Sequence, residues 1–244
     1  MSGFPDPSAI SFPFLAYALR GLRRECVGQA CPERLPITPM ILRKIYVTWA
    51  KQPLSADQFM LWAAFCLGFF GFLRAGEFTC PSPAAFSPSS MLEVGDVSID
   101  SHASPSRMQV TLKCSKTDPF GAGFVLHFCR TGDVLCPMAA MLGYLAQHPS
   151  GPRFLFLFQD GTPLSRPRLC LELRQALNLA GVATTGFSGH SFRIGAATTA
   201  ARMGLADSLI QTLGRWKSST FLDYIRMDGN TVAGVSATLA KATV

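Results

Sequence analysis

The sequence predicts a mainly α fold with one small three-stranded sheet, on three observations. Apolar residues recur at helical spacing in several long runs. Hydroxyl side chains suited to capping stand at the starts of such runs, at Thr38, Ser55 and Ser165. Between Ser55 and Ser165 lie three short segments of strand character, Val94 to Ile99, Met108 to Leu112 and Phe124 to Phe128.

Composition sets the frame for these elements. At 244 residues and 48% hydrophobic content, the chain can bury one sizeable core. Charged residues are only 15%, and they are lopsided: 22 Lys+Arg against 15 Asp+Glu, a formal net charge of +7. That excess suits a polyanionic partner such as DNA. The eight cysteines form no C-x-x-C pair, so metal-finger spacing is absent. With no secretory signal legible at the N-terminus, buried free thiols in a reducing compartment are expected rather than disulfides. Phe59 to Leu73 is free of charge, but it falls short of the ~20 residues that span a bilayer. It reads as a buried core helix, and no membrane partner is expected.

In chain order, Met1 to Ser11 is rich in Pro and Ser and reads as disordered. Phe12 to Val27 carries Leu15, Leu19 and Leu22 at helical spacing, with Arg20, Arg23 and Arg24 between them. Gly28 to Pro36 reads as a linker, so residues 1–36 are set apart from a main domain at 37–244. Thr38 caps a helix that begins at Pro39 and carries Ile41, Ile45 and Trp49 on one face. The helix from near Ser55 holds the long apolar run, and Pro81 to Ser90 is a loop. The three strands follow, with Thr117-Asp118-Pro119-Phe120-Gly121 turning the chain between the last two. Cys136 to Gln147 is helical, while Phe154 to Phe158 is too short and bulky to assign. Ser165 caps a helix running to about Ala180. Residues 189–203, 206–214 and 218–226 are helical, and Asn230 is placed to cap a last helix.

The most specific pattern lies near the C-terminus. In Gly189-His190-Ser191-Phe192-Arg193 the His and Arg are one helical turn apart, on one face. Leu213-Gly214-Arg215-Trp216 closes an apolar helical run, and Tyr224 follows in Asp223-Tyr224-Ile225-Arg226. Upstream, Leu73-Arg74-Ala75-Gly76-Glu77 ends the long apolar helix, and Cys114-Ser115-Lys116-Thr117 precedes the turn. An H-x-x-R pair alone is common by chance, but the ordered set from Arg74 to Tyr224 is specific. It resembles the catalytic domain of the tyrosine recombinases, also called phage-type integrases, and is most like the recombinases of DIRS- and Ngaro-type retroelements.

The resemblance implies that the small sheet is antiparallel and that the chain cleaves and rejoins double-stranded DNA. Cleavage without water or metal needs a nucleophile for phosphorus, positive charge on the non-bridging oxygens and a proton for the leaving 5′ oxygen. The resemblance makes Tyr224 the nucleophile, and its reference pKa of about 10 demands cationic neighbours. Arg74 and Arg193 become phosphate clamps, since a guanidinium forks onto two oxygens. Glu77 would brace Arg74. His190 would act as base or acid near the phosphate. Lys116 is the general acid of the hairpin, with Lys113 as competitor. Counting back nine from Tyr224 puts Arg215 at a sixth position where the family has His or Trp, whereas matching chemistry puts Trp216 there. Arg215, Lys113 and Lys217 join the expected DNA contacts. Ile194 departs from relatives that carry His or Lys at that place.

A 3′-phosphotyrosine intermediate conserves bond energy, so no cofactor and no metal is expected, and no Asp, Glu, His or Cys cluster has ligand spacing. The implied role is mobile-element integration, in the nucleus of a eukaryotic host and otherwise in the cytoplasm. Relatives carry a helical DNA-clamping domain ahead of the catalytic one, and Phe12 to Val27 reads as only its end. The apolar stripe Val232, Val235 and Leu239 suits docking on a neighbouring protomer, so self-association is expected on DNA. Two other readings stay open: a catalytically inactive, domesticated DNA-binding module, and a type IB topoisomerase-like activity.

Overall fold

A computed structural model describes residues 34–226, except 86, 89, 102, 114–122, 150 and 152. The predicted helix at 12–27, the turn at 117–121, the cap at Asn230 and the stripe from Val232 to Leu239 lie outside the described residues.

Helix α1 (Pro39–Trp49) starts where the sequence places it: the Thr38 hydroxyl accepts from the Ile41 amide at 3.3 Å, and Pro39 opens the first turn. Leu42, Ile45 and Trp49 are its buried face, with Ile41 packed against the core at the edge. Helix α2 (Ala56–Phe70) begins with a capping box in which the Ser55 and Gln58 side chains bond each other's backbone amides. From Met60 to Phe69 every residue of α2 is buried. The uncharged run is therefore the central helix of the core, covered by neighbours on all sides. No helix among the described residues is long and apolar enough to cross a membrane.

After α2 the chain turns sharply through Phe72, whose φ of 51° is left-handed, into the one-turn helix α3 (Ala75–Phe78). The sheet follows: β1 (Val97–Ile99), β2 (Arg107–Leu112) and β3 (Phe124–Cys129), antiparallel in the order β1-β2-β3. Val97 pairs Val110, Met108 pairs Phe128 and Leu112 pairs Phe124. Met108, Val110 and Leu112 point to the core in strict alternation. The first strand is shorter than its apolar pattern predicts. Val94 to Asp96 form a 3-10 turn in which the Asp96 carboxylate accepts from the Glu93 amide at 2.7 Å. Both carboxylates there face Lys113, which holds the chain in the turn.

Helix α4 (Pro137–Leu145) packs on α2, and Tyr144 ties it to the unassigned stretch Phe154 to Phe158. That stretch is buried from Leu155 to Phe158 and makes only single bridges, Glu93 to Phe154 and Leu157 to Pro163. The Leu157 amide donates to the Tyr144 hydroxyl at 2.9 Å, and burial raises that phenol to a pKa of about 12. Helix α5 (Arg166–Leu179) is capped by Ser165 and packs on α1. Helix α6 (Ser191–Arg202) lies against α2, and α7 (Asp207–Gly214) against α6. Residues 219–224 form a 3-10 turn rather than an α-helix. Gly195 lets α6 lie flush on the chain entering α1, since a Cβ there would sit 1.7 Å from the Ile37 carbonyl oxygen.

All five described cysteines, Cys66, Cys80, Cys129, Cys136 and Cys170, are free thiols. Three of them are buried.

Candidate active site

The turn after α2, the start of α6, the end of α7 and the 219–224 turn converge on one place. Arg74 is the residue before α3, where its backbone amide donates to Glu77 Oε2 at 2.8 Å and its Nη1 to Glu77 Oε1 at 3.0 Å. The predicted brace is thus present in the geometry. The other side of the same carboxylate is taken by Arg215, whose Nη2 donates to Glu77 Oε2 at 2.9 Å. Glu77 keeps only 4% of its side chain exposed and Arg215 7%. Arg215 also donates to the carbonyls of Gly71, Leu213 and Phe72, at 3.0, 3.1 and 3.3 Å. It adopts a left-handed conformation, φ 57°, as the closing residue of α7.

Arg193, in the first turn of α6, is fully buried. Its Nη1 donates to the Phe72 carbonyl and its Nη2 to the Gly214 carbonyl at 2.6 Å. Its guanidinium carbon lies 4.0 Å from the Trp216 ring centre and 5.3 Å from that of Tyr224. Burial, and next the charge of Arg74, pull the Arg193 pKa down, yet a guanidinium stays cationic at neutral pH. Three buried donors here have no acceptor among the described residues: Arg193 Nε, Arg215 Nε and Trp216 Nε1. Gly214 must be glycine because a Cβ there would lie 1.5 Å from the Trp216 ring.

The rings close the site. Tyr224 has its centroid 5.0 Å from His190 and 5.0 Å from Trp216. His190 is the residue before α6, half-buried, with its pKa lowered to about 4. Burial is the main cause, followed by the charges of Arg34, Arg193, Arg74 and Arg226. It is therefore neutral at pH 7, able to accept a proton. Ile194 is buried in the core and takes no part in the cluster.

The site thus brings together Arg74, His190, Arg193, Trp216 and Tyr224, five of the six residues expected to be catalytic. Lys116, the sixth, lies outside the described residues. Lys113 is held elsewhere, donating to Glu93 at 2.6 Å, Asp96 at 2.9 Å and the Pro88 carbonyl at 2.9 Å. Burial works against its charge, but the two carboxylates outweigh that and raise its pKa. Arg215 faces Glu77 instead of open solvent, and Lys217 is exposed. Sequence reading missed Arg34 and Arg226, whose charges bear on His190, and Thr198, whose hydroxyl bonds the backbone beside Tyr224. Arg34 stands in an unpatterned stretch and Thr198 in a run of small residues, so neither carried a signal. Arg226 sat in plain view two residues past Tyr224.

No protein-family model and no curated protein matches this sequence. Solved structures do match. The XerH site-specific recombinase, in a post-cleavage complex with its palindromic difH substrate, is 16% identical with a TM-score of 0.63 over 87% of this chain and 55% of XerH. XerA recombinase is 14% identical with a TM-score of 0.62 over 87% of this chain and 66% of XerA. A lambda integrase dimer bound to a COC′ core site is 17% identical with a TM-score of 0.54 over 80% of this chain and 48% of the integrase. The chain therefore spans about half the length of XerH and of that integrase. The architecture, helices around a three-stranded antiparallel sheet, is the fold of tyrosine recombinase catalytic domains.

Proposed function

We propose that this chain cleaves and rejoins double-stranded DNA through a 3′-phosphotyrosine intermediate. The observation that carries the reading is that two of the donors without an acceptor among the described residues, Arg193 Nε and Trp216 Nε1, pack against the Tyr224 ring among cations. Buried donors without acceptors call for a ligand made of acceptors, and a phosphodiester offers two non-bridging oxygens with a negative charge. In the proposed step, the Tyr224 oxygen attacks phosphorus and loses its proton, with neutral His190 as the nearest ring base. The bond from phosphorus to the 5′ oxygen breaks, and that oxygen leaves as a hydroxyl after taking a proton from the general acid, for which Lys116 is the candidate. Arg74 and Arg193 neutralise charge on the phosphate oxygens, and Trp216 donates its indole N–H. Reversal by another 5′ hydroxyl rejoins the strand. Self-association on DNA and a part in mobile-element integration, in a eukaryotic nucleus, complete the proposal.

The test is capture on a nicked duplex, from which the short fragment carrying the freed 5′ hydroxyl escapes and leaves the protein attached to the 3′ phosphate. Adduct should form in excess chelator. Tyr224→Phe should form none while binding duplex within about twofold of the native chain, because one hydroxyl adds little to affinity. An adduct in that variant would refute the assignment. One observation favours a second reading, a module that binds DNA without cutting it: Arg193 has no exposed surface, and both its Nη groups are bonded to backbone carbonyls. Duplex binding by the native chain with no adduct would select it.

A further inference from the structure

We infer that Thr198 is a positioning residue for the nucleophile, holding the backbone on either side of Ile225 against the helix that carries Arg193. The inference rests on the strand-cleavage reading. Thr198 lies in the middle of α6 and is 1% exposed. A threonine in that setting ordinarily returns its hydroxyl to the carbonyl four residues back in its own helix. Here the hydroxyl leaves the helix. Its single O–H donates to the Tyr224 carbonyl at 3.2 Å, and its oxygen accepts from the Arg226 amide at 3.0 Å. The last bond of the 219–224 turn is from the Ile225 amide to the Leu222 carbonyl at 3.1 Å. The chain then leaves the turn, and the Thr198 hydroxyl satisfies the next two backbone groups.

The geometry makes α6 a ruler. Arg193 and Thr198 are five residues apart in one helix, so their Cα atoms are separated by about 7.5 Å along its axis. The guanidinium is fixed at the first mark and the backbone of Tyr224 at the second. Between these marks the Tyr224 ring, which also packs on His190 and Trp216, lies 5.3 Å from the Arg193 guanidinium carbon. With the hydroxyl removed, Arg193 and Trp216 stay where they are, but the peptide after Tyr224 has no partner on α6. The phenol oxygen then samples positions off the line of attack. A misplacement of about 1 Å costs on the order of 100-fold in rate without touching the chemistry itself.

The experiment compares the full chain with Thr198→Val, which keeps the shape and drops the hydroxyl, and Thr198→Ser, which does the reverse. Adduct formation is followed in a single turnover at saturating nicked duplex, and amide exchange at Arg226 is followed in the free protein. Thr198→Val should slow cleavage about 10- to 100-fold with duplex affinity unchanged. Its Arg226 amide should exchange at least about tenfold faster. Thr198→Ser should cleave within about threefold of the native rate and keep the amide protected. Native-rate cleavage by Thr198→Val overturns the inference. So does a Ser variant slowed about tenfold or more against the native chain, which would assign the effect to the lost methyl; this arm is read against the native rate and decides alone should the Val variant not fold. Unchanged Arg226 exchange in Thr198→Val also overturns it. If the native chain forms no adduct, the cleavage reading itself fails, and the exchange arm still reports whether Thr198 holds the segment.

Discussion

Glu77→Gln tests the electrostatic centre of the site. The native carboxylate accepts from the Arg74 amide at 2.8 Å, from Arg74 Nη1 at 3.0 Å and from Arg215 Nη2 at 2.9 Å. Glutamine is nearly the same shape, but one of its two terminal atoms is a donor and meets a guanidinium N–H head-on. At least one charged bond is lost, and two cations keep no neutralising carboxylate at that point. Removing one partner of a buried ion pair costs about 3–5 kcal/mol. The lower figure applies, because Arg74 keeps 20% of its side chain exposed and reaches water, whereas Arg215 at 7% does not. A loss of about 3 kcal/mol corresponds to a fall in Tm of about 6–12 °C for a chain of this size. Urea titration should show a lower midpoint with an unchanged slope. Arg215→Gln removes the other partner, so the double variant should be less destabilised than the sum, with a coupling of about 1 kcal/mol or more. A loss under about 1 kcal/mol for Glu77→Gln, or strict additivity in the cycle, would refute the view that one carboxylate organises both arginines.

Two further outcomes follow from the same site. Arg193→Lys should slow adduct formation by about 100-fold or more, since an ammonium has no planar fork to reach two phosphate oxygens at once. Near-native cleavage by the lysine variant would contradict that. His190 supplies a pH signature. Its pKa is about 4 in the folded chain against an ordinary 6.5, so the unfolded chain takes the proton first as pH falls. The contribution to stability is full above about pH 6.5 and is lost towards pH 4, by at most about 3 kcal/mol. Melting curves of His190→Gln should be flatter over that window, and a parallel pH dependence in both proteins would exclude His190 as the source.

The elements with local signals were legible. Thr38-Pro39 and Ser55 announce their helices through caps that the structure uses, and the alternation in Met108 to Leu112 fixes which face is buried. The convergence of His190, Arg193, Trp216 and Tyr224 could be anticipated because all four lie within one short stretch of chain. What could not be read was set by distant partners. Val94 to Ile99 reads as one strand, yet Val94 to Asp96 turns, with Asp96 and the preceding Glu93 both paired to Lys113 just past the end of the next strand. The pairing of Arg215 with Glu77 joins residues 138 apart in sequence, so no local pattern could announce it. Thr198 has no local mark, since its role depends on where the chain after Tyr224 comes to rest.

The Phe72 carbonyl oxygen serves two masters: Arg193 Nη1 and Arg215 Nη2 both donate to it, the latter at 3.3 Å. A carbonyl has two lone pairs, so this is ordinary chemistry, but it bears on the proposed role of Arg193 at phosphate. An arginine that turns from backbone to phosphate ordinarily strands every acceptor it leaves. Here Phe72 keeps Arg215, and only the Gly214 carbonyl, 2.6 Å from Nη2, is given up. In the proposed cleavage step, Arg193 would therefore leave one backbone carbonyl, not two, without an arginine donor.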